Sequence, residues 1–123
     1  MATEGKFEVT LEPQQDVAAP AGRMSMRKVY SGGLVGTALG QMISKRTEAG
    51  ESVYSAVEEF DGALDGKTGG FSLFHVGRMS SAGQSLEVTV VAGSGRGDLE
   101  GIGGHMTIIQ EGGEHRYVFD YIV

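Results

Sequence analysis

The chain has 123 residues, no cysteine and a formal net charge of −6. That length suits one domain whose core needs no metal or disulfide staple, and the lack of cysteine excludes a disulfide scaffold, thiol catalysis and thiolate metal sites and fits a reducing, cytoplasmic setting. Ten Lys and Arg scattered among sixteen acids make no basic footprint for nucleic acid, no segment nears the ~20 apolar residues of a membrane helix, and the opening residues show no leader; neither nucleic acid nor membrane is an expected partner.

No stretch keeps a helical apolar period, whereas period-two alternation recurs between turn clusters, which predicts strands. The first strand is expected at residues 6–11, with Phe7, Val9 and Leu11 on one face, and a long loop at 12–22 with Pro13 and Pro20. The second, 24–31, alternates Met24, Met26 and Tyr30; Arg27 falls opposite to Met26 and Lys28. The third to eighth are expected at 37–44, 52–60, 71–79, 85–92, 105–110 and 115–123. Glycine, 21 of 123 residues against a usual ~7%, marks bends and close backbone approach in such an all-β chain.

One pentapeptide recurs. Gly32–Gly36, Gly62–Gly66 and Gly97–Gly101 all read G-x-L-x-G, starting 30 and 35 residues apart. Each connects an even strand to the next, while polar hairpins at 45–50, 80–83 and 111–114 make the other connections. In an up-and-down meander the two kinds of connection lie at opposite ends. Leu34, Leu64 and Leu99 are therefore expected to converge and plug one end, leaving the polar hairpin end as the mouth. Eight strands also suffice to close a small barrel. The fold read here is all-β, an eight-stranded antiparallel up-and-down β-barrel in a single domain, with a β-sandwich as the alternative.

Residues 54–77 (YSAVEEFDGALDGKTGGFSLFHVG) and 91–104 (VAGSGRGDLEGIGG) resemble two signatures of a bacterial family of unknown function described as having an allene-oxide-cyclase-like β-barrel, and the last strand resembles that family's terminal strand. The likeness covers residues 24–123. The family usually has a Trp near Glu12, and this chain has none. The resemblance implies an axial cavity and carries no established activity. Plant allene oxide cyclases bind a fatty-acid epoxide in such a barrel, steer its ring closure and assemble as trimers; fold likeness alone does not transfer that reaction.

The motifs for chemistry are few. Gly93-Ser94-Gly95-Arg96-Gly97 fails as a phosphate loop, because Glu100 stands where G-x-G-x-x-G needs glycine and no helix is expected after it. No serine has a nucleophile-elbow context. His75, His105 and His115 have no second histidine at metal-ligand spacing, so no metal and no cofactor is expected; His115, beside an acidic hairpin, is expected to be solvated. His75 shares a strand face with Phe71 and Leu73. Glu58 shares one with Tyr54, Ala56 and Phe60, and the resemblance places a glutamate there. If both faces turn inward, Glu58 and His75 meet from neighbouring strands, and the carboxylate orients an imidazole for acid–base work. The alternatives are a hydrogen-bonded core histidine and a Glu58 facing water, with Val53, Val57 and Glu59 on the core side. Tyr117, Phe119 and Tyr121 share a face suited to a pocket wall, or to ordinary packing or a protomer contact. Met24, Met26, Met42 and Met106 supply adaptable apolar filling.

Three readings of function follow. One is a barrel that binds a small hydrophobic or amphipathic molecule, with Tyr54, Phe71, Leu73, Tyr117, Phe119 and Tyr121 around it and a cavity above roughly 300 Å³. Another is an isomerase or cyclase with Glu58 and His75 as catalytic pair. The third is a non-catalytic interaction module. A homo-oligomer, dimer or trimer, is expected.

Overall fold

The computed structural model describes residues 1–14 and 20–123. The strands are β1 (Ala2–Gln14), β2 (Gly22–Gly32), β3 (Leu34–Arg46), β4 (Ser52–Leu64), β5 (Lys67–Ser80), β6 (Gly83–Val90), β7 (Arg96–Gly97), β8 (Gly103–Glu111) and β9 (Glu114–Ile122). Each strand pairs antiparallel with its neighbours, and β4 pairs with β5 as well as β3. The sheet thus closes on itself through β1–β9 and β6–β8. The structure is a closed eight-stranded antiparallel barrel, and the sandwich alternative falls. β7 is an addition: Arg96 and Gly97, at the third G-x-L-x-G, pair with Gly70 and Gly69 on β5.

Most strands run longer than expected. β1 extends through Pro13 to Gln14, so the expected loop at 12–22 begins inside a strand. Its residues 15–19 lie outside the described residues. The turns are tight where sequence permits. Asp65 (φ 47°) and Gly66 (φ 87°) both take the left-handed backbone that a two-residue hairpin turn of type I′ requires. Gly36 and Gly62 face each other across β3 and β4. A Cβ on either would collide with the opposite strand's carbonyl oxygen, so these two glycines let the barrel wall bend sharply.

The G-x-L-x-G end is packed. Leu34 and Leu64 are register partners, and Leu34, Leu64 and Leu99 are all fully buried with Phe60, Phe71 and Phe119. Tyr117 staples this plug. Its hydroxyl donates to the Ser31 carbonyl at 2.8 Å and accepts from the Leu34 amide at 2.8 Å, tying β9 to the β2–β3 bend. Tyr121 donates to Asp65 Oδ2 at 2.5 Å, fixing the neighbouring turn.

The hairpin end is looser. β6 and β8 pair through Val88–Met106 and Thr89–His105; beyond these, among the described residues, no register pair joins them toward the mouth. His115 differs from its expected solvation: it is half-buried, its ring 5.2 Å from that of Phe7. His105 is exposed, 3.6 Å from Asp120.

Candidate functional site

Inside the barrel, where plug gives way to mouth, three strands bring charged and polar side chains together. Glu58 on β4 is 1% exposed, His75 on β5 is 2% exposed and Lys28 on β2 is 3% exposed. The inward faces of β2 and β4 are separated by β3, whose inward residues there are small. Lys28 is opposite Ala38 and Glu58 opposite Gly40. A Cβ on Gly40 would stand 2.9 Å from Met26 Cε and 3.0 Å from Glu58 Cβ. The missing side chain gives Lys28 and Glu58 room to meet over β3.

The carboxylate is saturated. Glu58 Oε1 accepts from Lys28 Nζ at 2.9 Å and from His75 Nε2 at 2.6 Å, and Oε2 accepts from the Tyr30 hydroxyl at 2.7 Å. Burial by itself would raise the Glu58 pKa. The hydrogen bond from His75 and the charge of Lys28 outweigh it and hold the group at about 2. The Lys28 ammonium also lies 4.4 Å from the centre of the Phe7 ring, a cation–π contact. Among the described residues, every buried side-chain polar atom has a hydrogen-bond partner, which lets a buried charge cluster persist.

Tyr54 connects this cluster to solvent. With Nε2 donating to Glu58, His75 Nδ1 is free to accept from the Tyr54 hydroxyl, 3.4 Å away. Burial, and then the negative charge of Glu58, raise the Tyr54 pKa. The ring lies over Gly77, where a Cβ would collide with it. Above Tyr54 opens a pocket of about 810 Å³. Met42, Met79, Leu86 and Ile108 supply its apolar wall, and Ser44, Ser52, Gln84 and Gln110 its polar groups. Gln84 and Leu86 of β6 and Ile108 and Gln110 of β8 lie beyond the last register pair of these strands, so the pocket extends between their unpaired segments.

Of the residues that the sequence marks as candidates, Glu58 and His75 meet in the buried cluster and Tyr54 lines the pocket. Phe71, Leu73, Tyr117, Phe119 and Tyr121 are buried in the hydrophobic core and do not line this pocket. The cavity is therefore confined to the mouth half of the barrel rather than axial throughout. Lys28 and Tyr30 were not among the candidates. Their signal was parity: both share the alternating face of Met24 and Met26. No group of three or more His, Asp or Glu among the described residues is placed to hold a metal, and no helix among them is long and apolar enough to cross a membrane.

Comparison with known proteins gives a consistent placement. No curated protein matches the chain. A crystal structure of a protein with unknown function from the DUF3224 family, from Shewanella oneidensis MR-1, is similar to it, with a TM-score of 0.92 and 36% identity over 99% of this chain and 96% of that one. The profile of the family described as protein of unknown function (DUF3224) matches residues 3–121. With nearly its whole length matched, the chain belongs to the DUF3224 family.

Proposed function

We propose that this barrel binds one small hydrophobic or amphipathic molecule in the pocket at its hairpin end. The observation that carries the reading is the pocket's form: about 810 Å³, within the ~300–1,000 Å³ usual for ligand sites, with an apolar wall, a few polar groups around it and Tyr54 over the buried charged cluster. The resemblance to an allene-oxide-cyclase-like barrel supports the reading by analogy of fold alone. The test is fluorescence titration with N-phenyl-1-naphthylamine, a neutral apolar probe, on the wild type and on Ile108→Trp, whose larger ring fills the pocket. Saturable binding that the substitution abolishes is expected. No saturable binding to the wild type, or binding indifferent to the substitution, overturns the proposal.

A second reading is acid–base isomerisation or cyclisation of the bound molecule, favoured by the chain of contacts Tyr54–His75–Glu58. Here Glu58 stays a carboxylate and positions His75, and the Tyr54 hydroxyl is the group that reaches the ligand. Turnover of a ligand found by probe displacement is expected to fall in both Tyr54→Phe and His75→Asn; full turnover in both removes this reading.

Homo-oligomerisation belongs to the same proposal. The outer face of β3, β4 and β5 exposes Leu39, Ile43, Val53, Val57, Phe74 and Val76, which the register sets close together. A contiguous apolar patch of this kind marks an interaction surface, and a second copy of the chain is its proposed occupant.

A further inference from the structure

The rim of the pocket carries one sign of charge. Lys45 and Arg46 at the end of β3 and Arg78 toward the end of β5 line it, Arg46 from the inward face and Lys45 and Arg78, the register partners of Val53, from the outer edge; among the described residues no carboxylate lines it. This reverses the balance of the chain, which has sixteen acids and ten bases. Among the described residues, no carboxylate neutralises the three cations. Lys45 Nζ donates to the Pro20 carbonyl at 3.0 Å and Arg46 Nε to Ser52 Oγ at 3.4 Å, both uncharged acceptors. Arg78 has no hydrogen bond or ion pair among the described residues. Glu48 and Glu51 in the adjoining turn, and Glu87 outward on β6, pair with none of the three.

Three like charges around one low-dielectric opening repel one another and focus a positive potential into it. An anion seated there relieves the repulsion, and a guanidinium offers the planar fork that matches an acidic group. The floor works the other way. Glu58 is already saturated by Lys28, His75 and Tyr30, so the buried cluster offers a ligand's acid no free cation at depth. From this polarity we infer that the pocket takes an amphipathic anion, apolar body inward against Met42, Leu86 and Ile108, acidic group outward at Arg78, Lys45 and Arg46. The inference rests on the binding function proposed above and adds the class and orientation of the ligand.

Two probes of nearly the same ring system separate the claims. 8-Anilinonaphthalene-1-sulfonate carries one sulfonate, and N-phenyl-1-naphthylamine carries none. Each is titrated into the wild type, into Arg78→Gln/Lys45→Gln, and into Ile108→Trp, with circular dichroism to verify folding. The sulfonate is expected to bind about tenfold more tightly than the neutral probe at low salt, as charge-assisted hydrogen bonds require. The ratio is expected to fall as salt screens the rim and to approach one in Arg78→Gln/Lys45→Gln. Competition by 1-naphthoate and 1-naphthyl phosphate then tells whether carboxylate or phosphate is preferred. A ratio near one in the wild type, or a ratio that the double substitution leaves intact, overturns the anion inference while pocket binding stands. Failure of both probes, or binding of both in Ile108→Trp, overturns the pocket itself. Should the double variant not fold, the salt dependence of the wild-type ratio decides.

Discussion

Glu58 illustrates how a costly residue becomes a fixed point. A lone buried carboxylate is strongly unfavourable, yet here three donors complete its coordination. Removing one partner of such a cluster leaves an uncompensated charge and typically costs about 3–5 kcal/mol. Glu58→Gln is therefore expected to destabilise the barrel by that much at neutral pH in urea unfolding, because Lys28 stays buried without its anion. The pH dependence has a definite sign. Glu58 titrates at about 2 in the folded chain against an ordinary 4.5, so its contribution is fully present above pH 4.5 and is lost as pH falls toward 2. The shift corresponds to about 3 kcal/mol. The stability difference between wild type and Glu58→Gln should hold constant above this window and shrink within it; a difference that stays constant down to pH 2 contradicts the account. The meeting of Glu58 with His75 was legible because neighbouring strands share parity. The meeting of Glu58 with Lys28 was not, because it crosses β3. It depends on Ala38 and Gly40 being small on the same inward face, a signal visible only once the register is known.

At the scale of elements, the repeated G-x-L-x-G segments mark where apolar side chains close the barrel. Their leucines were legible from the repeat, and their burial follows from the alternation of the connections between two ends. Leu64→Ala is expected to cost about 2–5 kcal/mol, as buried leucine truncations do, and Leu34→Ala similarly; a loss under about 0.5 kcal/mol in urea titration would mean that the end is not a plug. The strand ends were less legible, because glycines that usually interrupt strands are here the bends within them, at Gly36 and Gly62. β7 was hidden for another reason. Arg96 holds it against β4 with contacts to Glu59, Asp61 and the Phe60 carbonyl, a long-range arrangement that no local pattern encodes. The aromatic run of β9 follows the same logic in reverse. Alternation placed Tyr117, Phe119 and Tyr121 on one face, but it could not say which way that face turns or at which height of the barrel they stand, and they stand beside the plug. The short pairing of β6 with β8 is an element-scale feature with a dynamic consequence. Beyond Val88–Met106 and Thr89–His105 no register pair joins them among the described residues, and their amides facing the gap are expected to exchange hydrogen faster than those of β4 and β5, measured by native-state exchange; equal protection would argue against an open seam.

Across the molecule, the barrel divides into a packed half and an open half, with a charged cluster at the boundary. The sequence pattern made the closed sheet and its two unlike ends legible. It did not reveal that the cavity stops halfway, because that depends on whether aromatic rings fill the interior, a matter of volume rather than periodicity. The outer surface has its own asymmetry, with an apolar face on β3 to β5. If a second copy covers it, light scattering at micromolar concentration should give more than the 12.9 kDa of one chain, and Val57→Lys/Phe74→Lys should return the monomer mass. A wild type that is already monomeric there contradicts self-association.

The central claim is that the mouth pocket is a ligand site, and amide-resolved NMR titration with N-phenyl-1-naphthylamine tests it most directly. The account predicts saturable shifts clustered at Tyr54, Gly77, Leu86 and Ile108, with the plug around Leu34, Leu64 and Leu99 unmoved. Shifts confined to the outer face around Val57 and Phe74, or no saturable shifts, would contradict it.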